Sequence, residues 1–302
     1  MRTAAVLIVV LLLAACSGGG EPNGSDGRLR IAATTTVVAD LVRHVAGDNA
    51  EVTAVVPAGG EVHTFDPTPS DLERVASADA VFANGLGLDE WVTQLVSDAG
   101  SDALVVELAE DLSGVTYREG ADAHEGDDNH GTDPHVWLNP AYAALYVDRI
   151  ADELSKVDPG HASAYADRAA AYRAELEALD AEVHAMFEAI PADDRRVVSY
   201  HDAFGYFADA YGLEIIGTVT DAPGQDPSAG EIARLIDEIR DLDARAILAE
   251  AQFPVQLAER IADDAGIQVV TELHTDSVGP APLDSFVAIL RHDAEQIAEA
   301  LR

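Results

Sequence analysis

Short β-branched or apolar runs recur along the chain, and the stretches between them repeat apolar residues every three or four positions. In the first half, Leu29 to Thr34, Glu51 to Val56, Ala80 to Ala83 and Ala103 to Glu107 read as strands. In the second, Val197 to Tyr200, Glu214 to Val219, Ala246 to Ala249 and Gln268 to Leu273 do so. Helical patterns fill the gaps: Thr36 to Ala46, Ser70 to Ser77, Asp89 to Ser97, Ala203 to Tyr211, Ser228 to Leu242 and Pro254 to Ala265. Ser70 with Glu73 and Ser228 with Glu231 have capping-box spacing, in which paired side chains satisfy free amides of the first turn. Strands alternating with helices predict parallel sheets covered on both faces. Four strands in each half predict an α/β protein of two lobes, residues 28–158 and 191–302, each a mostly four-stranded parallel sheet flanked by helices.

The middle of the chain has no strand signal. Pro140 to Val157 is helical, Asp158-Pro159-Gly160 interrupts, and His161 to Ile190 runs on for 30 residues to Pro191. That helix would be roughly 45 Å long at 1.5 Å per residue, enough for one stiff connector over residues 159–190 to join two lobes. Two helices folded back on one lobe would fit the same pattern.

The amino terminus is an address. One basic residue and an apolar run from Ala4 to Ala15 describe an export signal over residues 1–15, shorter than the roughly 20 apolar residues of a membrane span. Cys16 is the only cysteine, and Leu13-Ala14-Ala15-Cys16 resembles a bacterial lipobox, in which lipid is attached to the cysteine. A thiol without a disulfide partner agrees with lipid on Cys16. Residues 16–27, rich in Gly and Ser, read as a lipid-anchored flexible tether. The body is therefore expected outside the cytoplasm, on the outer face of the cytoplasmic membrane or in the periplasm.

Charge narrows the partners. The chain has 55 Asp and Glu against 18 Lys and Arg, a net charge of −37 over 302 residues. Nucleic-acid binding needs Lys and Arg to neutralise phosphates, so it is excluded as a function. Hydrophobic residues make up 48%, which argues for a packed core rather than disorder.

Four side chains stand where a strand has just ended. His63 follows the turn after Glu51 to Val56, His201 follows Val197 to Tyr200 directly, and Asp276 follows Gln268 to Leu273; His135 lies in Asp133-Pro134-His135-Val136-Trp137-Leu138-Asn139-Pro140. Ligands of open α/β sheets gather at the carboxyl ends of strands. Three imidazoles and a carboxylate suit Zn²⁺, although a lone His beside a strand is more often structural, and no His-Glu-x-x-His or Cys pair is present.

The segment His63-Thr64-Phe65-Asp66-Pro67-Thr68-Pro69-Ser70-Asp71 resembles the first-ligand motif of the metal-binding lipoproteins of zinc and manganese ABC importers. The segment around His135 resembles the second motif of that family, Ser199-Tyr200-His201-Asp202-Ala203-Phe204-Gly205-Tyr206-Phe207 the third, and Thr275-Asp276-Ser277-Val278 the fourth. The resemblance spans about Leu29 to Leu301. It implies a monomeric solute-binding protein of two α/β lobes on a long rigid helix, with no enzymatic activity. It also implies metal ligation by His63, His135, His201 and Asp276, and an ABC permease with its ATPase as partners. Glu250 matches an acidic position of the family and stands as an alternative to Asp276 or as support for another ligand; His274 is a second candidate for support. The family often has Asp-Pro before its first His, where this chain has Glu61-Val62. A His at the third position, rather than a Glu, favours Zn²⁺, with Mn²⁺ or Fe²⁺ as alternatives. In the polar loop from Glu119 to Asp133, His124 and His130 could gather Zn²⁺ beside the site or belong to a solvated acidic loop. The rival of another class is a zinc hydrolase, since three His with an open position can activate water.

Overall fold

The computed structural model describes residues 27–120, 131–220 and 223–302. The signal segment, Cys16 and its tether up to residue 26, and the loop histidines His124 and His130, lie outside the described residues.

The first half forms a parallel sheet of β1 (Leu29–Ala33), β2 (Ala50–Ala54), β3 (Ala80–Ala83) and β4 (Leu104–Glu107) in the order β2-β1-β3-β4. The second half repeats the order as β6-β5-β7-β8, with β5 (Arg196–Ser199), β6 (Glu214–Thr218), β7 (Ala246–Glu250) and β8 (Gln268–Leu273), again parallel. Crossovers run through α1 (Thr36–Ala46), α2 (Pro69–Ala76) and α3 (Trp91–Asp98) in the first half. In the second they run through α6 (Gly205–Tyr211), α7 (Ala229–Leu242) and α8 (Gln256–Ala265). The eight expected strands are all present, shifted by a residue or two at their ends.

Two helices occupy the middle, α4 (Pro140–Val157) and α5 (Ala162–Glu188). The buried residues of α5 are Tyr165, Ala169, Tyr172, Leu176, Leu179, Val183 and Phe187, one stripe at helical spacing. It packs on α1 and α4 from the first half and on α6 from the second. Its 27 residues make it about 40 Å long, so one continuous helix serves both sheets. The largest buried cluster accordingly crosses the molecule, from Leu41 and Tyr146 through Leu179 to Phe207 and Phe286. Smaller clusters back the far faces, around Val81, Val92 and Leu95 on the first sheet and Val198, Ile247 and Ile261 on the second.

Two details differ from the sequence reading. The first capping box is not Ser70 with Glu73: Asp71 accepts from the Thr68 backbone N–H at 2.8 Å and from its hydroxyl at 2.7 Å, and Pro69 opens the helix. Proline suits that position because its missing N–H has no intrahelical partner there. The Ser228–Glu231 box forms as expected, with the reciprocal bonds at 2.7 and 3.3 Å. A ninth helix among the described residues, α9 (Phe286–Ala300), carries His292, although no bounds for it were read from the sequence. It packs on α5 and α1, and its Phe286 N–H donates to Asp40 Oδ2 of α1 at 2.9 Å.

Candidate metal site

His63 sits in the loop between β2 and α2. Gly60 N–H donates to Pro57 O at 2.9 Å to close a turn, Val62 is fully buried, and Gly59 N–H donates to Ser277 Oγ at 2.8 Å from the other half. These three anchors aim His63 inward. His135 is fixed from its own segment: buried Asp133 accepts its backbone N–H at 2.9 Å through Oδ1, which also lies 2.8 Å from Nδ1. The next three residues form a fully buried 3₁₀ turn, Val136–Leu138, that feeds α4 through an Asn139 cap. From outside that segment, Asn84 Nδ2 donates to Pro134 O at 3.0 Å, with Tyr146 OH donating to Asn84 Oδ1 at 2.8 Å. A Cβ on Gly205 would lie 2.8 Å from Asp133 Oδ2, so glycine there admits the carboxylate.

His201 lies two residues past β5, and its Nδ1 lies 2.7 Å from Glu250 Oε1 at the end of β7. The angle is poor, and neither ring nitrogen of His201 has a well-aligned partner. Glu250 reaches that place through an irregularity. The β7–β8 register shifts between Leu248 and Glu250, and Glu272 takes φ +61° beside it. A non-glycine residue in the left-handed region is uncommon and marks a bulge that re-aims side chains. Asp276 follows β8, with Gln252 Nε2 donating to its Oδ2 at 3.2 Å. Trp137 Nε1 donates to Thr275 O at 2.9 Å, tying the His135 segment to the Asp276 segment.

The four side chains singled out from sequence converge. His63 Nε2 is 3.4 Å from His135 Nε2 and 4.0 Å from Asp276 Oδ2. The three imidazole centroids are 5.3, 5.5 and 5.3 Å apart, and one nitrogen from each lies within 4.8 Å of the others. A second set, Glu61, His63 and Asp276, meets the same 4.8 Å limit. Donors about 2.1 Å from one Zn²⁺ are at most about 4.2 Å apart, so small movements would close either set on an ion.

Electrostatics separate the members. Burial, then the neighbouring imidazoles, hold His63 and His135 well below the ordinary His range. Burial also opposes charge on His201, but Glu250 outweighs it, with Asp276 and Glu61 adding, and the group is pushed up to about 9. Burial raises Asp276 to about 7, partly offset by His201. Burial likewise raises Asp133 to about 7 against the His135 N–H bond and Arg118. Asp276 Oδ1, Glu61 Oε2 and Glu250 Oε2 are buried without hydrogen-bond partners, and Glu250 Oε1 has only its close contact with His201. Native proteins rarely leave such oxygens bare, and a cation between them would satisfy them. Imidazole with carboxylate is a donor set for first-row divalent metals.

Glu250 therefore lies behind His201 rather than in the place of Asp276. His274 is not brought to the cluster: its backbone N–H bonds the Asp293 carboxylate at 3.0 and 3.1 Å, and its ring faces His292 at 6.2 Å. Sequence reasoning missed Asp133, Asn84, Gln252 and Trp137 as supports. The signal for Asp133 is its place two residues before His135 in a proline-constrained segment; the others come from distant positions.

The family model for "ZnuA: Zinc-uptake complex component A periplasmic" matches residues 31–300. A manganese-binding lipoprotein, MntA of Halalkalibacterium halodurans, is 30% identical over 275 residues, covering 90% of this chain and 88% of that protein. An iron ABC transporter substrate-binding lipoprotein, MtsA of Streptococcus pyogenes serotype M1, is 31% identical over 284 residues, covering 91% and 89%. Among solved structures, the periplasmic zinc-binding protein TroA of Treponema pallidum superposes with a TM-score of 0.81 at 27% identity, covering 91% of this chain and 99% of that one.

Proposed function

Since the chain belongs to the ZnuA family of periplasmic metal-uptake components, we propose that it captures one divalent metal ion between its two sheets and delivers it to an ABC permease. His63, His135, His201 and Asp276 are the ligands in this reading. The observation that carries it is the meeting of these four side chains, from four separate segments of the chain, around buried oxygens that lack partners. Three imidazoles point to Zn²⁺ as cargo, and the manganese and iron names of relatives keep Mn²⁺ and Fe²⁺ within reach of the same ligands.

Capture exchanges the ion's water for imidazole and carboxylate. His63 and His135 are held neutral and can ligate as they stand, whereas His201 must shed a proton. Asp133 fixes the ring of His135, and Glu250 stands against that of His201. A continuous core and one helix shared by both sheets favour small adjustments of the loops over wide hinge closure. An exported chain anchored through Cys16, working as a monomer beside the permease and its ATPase, completes the proposal. No helix among the described residues is long and apolar enough to cross a membrane.

Metal analysis of protein dialysed against equal free Zn²⁺ and Mn²⁺, with an esterase and peptidase assay on the same sample, tests this. One tight ion per chain without turnover is expected. Rapid hydrolysis, or no bound metal, would overturn the carrier reading.

A further inference from the structure

The loop that delivers His63 also delivers a carboxylate. Glu61 Oε1 accepts the His63 backbone N–H at 2.9 Å, while Glu61 Oε2 is buried with no hydrogen-bond partner. Its direction is fixed from both sides, by the Pro57–Gly60 turn and by buried Val62. One carboxylate oxygen of Glu61 belongs to the set with His63 and Asp276 whose ligand atoms all lie within 4.8 Å, the same limit that relates the three imidazoles. His63 is common to both sets, so the two share one space.

A carboxylate that only oriented its loop would need one oxygen. The second oxygen, buried and bare on a side chain grouped with His63 and Asp276, calls for a positive partner. Charge argues the same way. Neutral imidazoles and one carboxylate leave a dication with an excess positive charge in a desolvated site, and a second facing carboxylate removes it.

We propose that Glu61 is a fifth donor to the bound ion, adding a hard oxygen to three imidazoles and Asp276 and thereby shifting the site's preference from Zn²⁺ toward Mn²⁺ and Fe²⁺. This rests on the metal-carrier reading above. Four nitrogen and oxygen donors suit tetrahedral Zn²⁺, whereas a further carboxylate raises the coordination number toward what manganese favours. Glu61 thus sets selectivity from the amino-terminal half, opposite the His201 position that favours zinc.

Cobalt(II) is the probe, because its visible absorption is intense in four-coordinate sites and weaker in five-coordinate ones. The full-length protein loaded with Co²⁺ should show the weaker bands. Glu61→Gln keeps an acceptor for the His63 N–H but removes the anionic donor, and it should convert the spectrum to the intense form. Its Mn²⁺ affinity, measured by chelator competition, should fall at least about tenfold more than its Zn²⁺ affinity. Glu61→Asp, which withdraws the carboxylate by one methylene, should move both readouts the same way. Unchanged spectra and equal losses for the two ions would reduce Glu61 to a support of the loop and overturn the proposal. A native chain that binds none of the three ions would instead remove the carrier reading on which it rests.

Discussion

His135 and His201 each have a carboxylate at Nδ1, yet the two imidazoles are pushed in opposite directions. Asp133 lies two residues from His135, accepts its backbone N–H and has Arg118 3.7 Å from its other oxygen. Its charge is spread over those contacts, and burial leaves His135 neutral. Glu250 comes from a different strand and has no well-aligned donor, so His201 is its main compensation and is pushed up to about 9. A carboxylate behind a histidine therefore has no fixed meaning. Bonded elsewhere, it leaves the ring neutral; facing the ring as its main partner, it favours a proton there. In the proposed site the amino-terminal half would offer neutral imidazoles, and the carboxy-terminal half would exchange a proton for the metal.

The largest effect expected is on the ready ligand. His135→Ala should weaken Zn²⁺ binding by several orders of magnitude in calorimetry, because it removes a neutral donor and leaves Asp133 buried without its ring partner. Unchanged affinity would refute the site.

The carboxylates give the next largest effects, and they separate by pH. Asp133→Asn and Glu250→Gln should each cost about 10- to 100-fold in Zn²⁺ affinity, the usual scale for groups behind a metal ligand. In the native protein, affinity should rise about tenfold per unit between pH 7 and 9 as His201 gives up its competing proton. Glu250→Gln removes the group that raises His201 and should flatten that slope, whereas Asp133→Asn should leave it intact. The metal-free protein should behave in reverse. A histidine raised in the folded state contributes stability that is full below its unfolded pKa near 6.5 and is lost as pH rises through about 9. Urea midpoints of the metal-free chain should therefore fall from pH 7 to 9, and the Glu250→Gln variant should not follow. Parallel curves for the two proteins would dissolve the contrast between the halves.

Much of this was legible in the sequence, and the limit has a physical form. Both sheets, the long helix and the four converging side chains follow from local patterns: alternation of strand and helix, a stripe in α5, and motifs of four to nine residues. His201 and Asp276 could be placed because each comes two or three residues after a strand. The relation of Glu250 to His201 depends on a bulge at Glu272, which no local pattern announces. Trp137 bonding Thr275 and Ser277 bonding Gly59 join residues far apart in the chain. The net charge of −37 pointed away from nucleic acid but not toward this site, which uses a handful of the 55 carboxylates.

A smaller effect should follow from one of the bonds that join the halves. Trp137→Phe removes the donor to Thr275 O and should cost about 1 to 3 kcal/mol of stability in urea unfolding, since it leaves a buried carbonyl unpaired. It should weaken metal binding by displacing Asp276 while largely keeping the pH 7 to 9 slope, because Glu250, the main group that raises His201, is not touched. A changed slope would mean that the two halves are not electrostatically separate.

The smallest effects ask whether the halves differ in scaffold as well as in charge. Each has one capping box, Thr68 with Asp71 before α2 and Ser228 with Glu231 before α7. Thr68→Ala and Ser228→Ala should each cost about 1 kcal/mol, the usual value of a helix cap. Ser70→Ala, one residue inside α2, should stay within about 0.5 kcal/mol, as exposed substitutions commonly do. Thermal unfolding of the three variants measures these differences. Equal costs for Thr68 and Ser228, with metal affinity intact in both, would assign the contrast between the halves to the carboxylates behind His135 and His201. A loss of affinity confined to Thr68→Ala would instead show that α2 holds the His63 loop in place, and that the amino-terminal ligands owe their readiness to the scaffold.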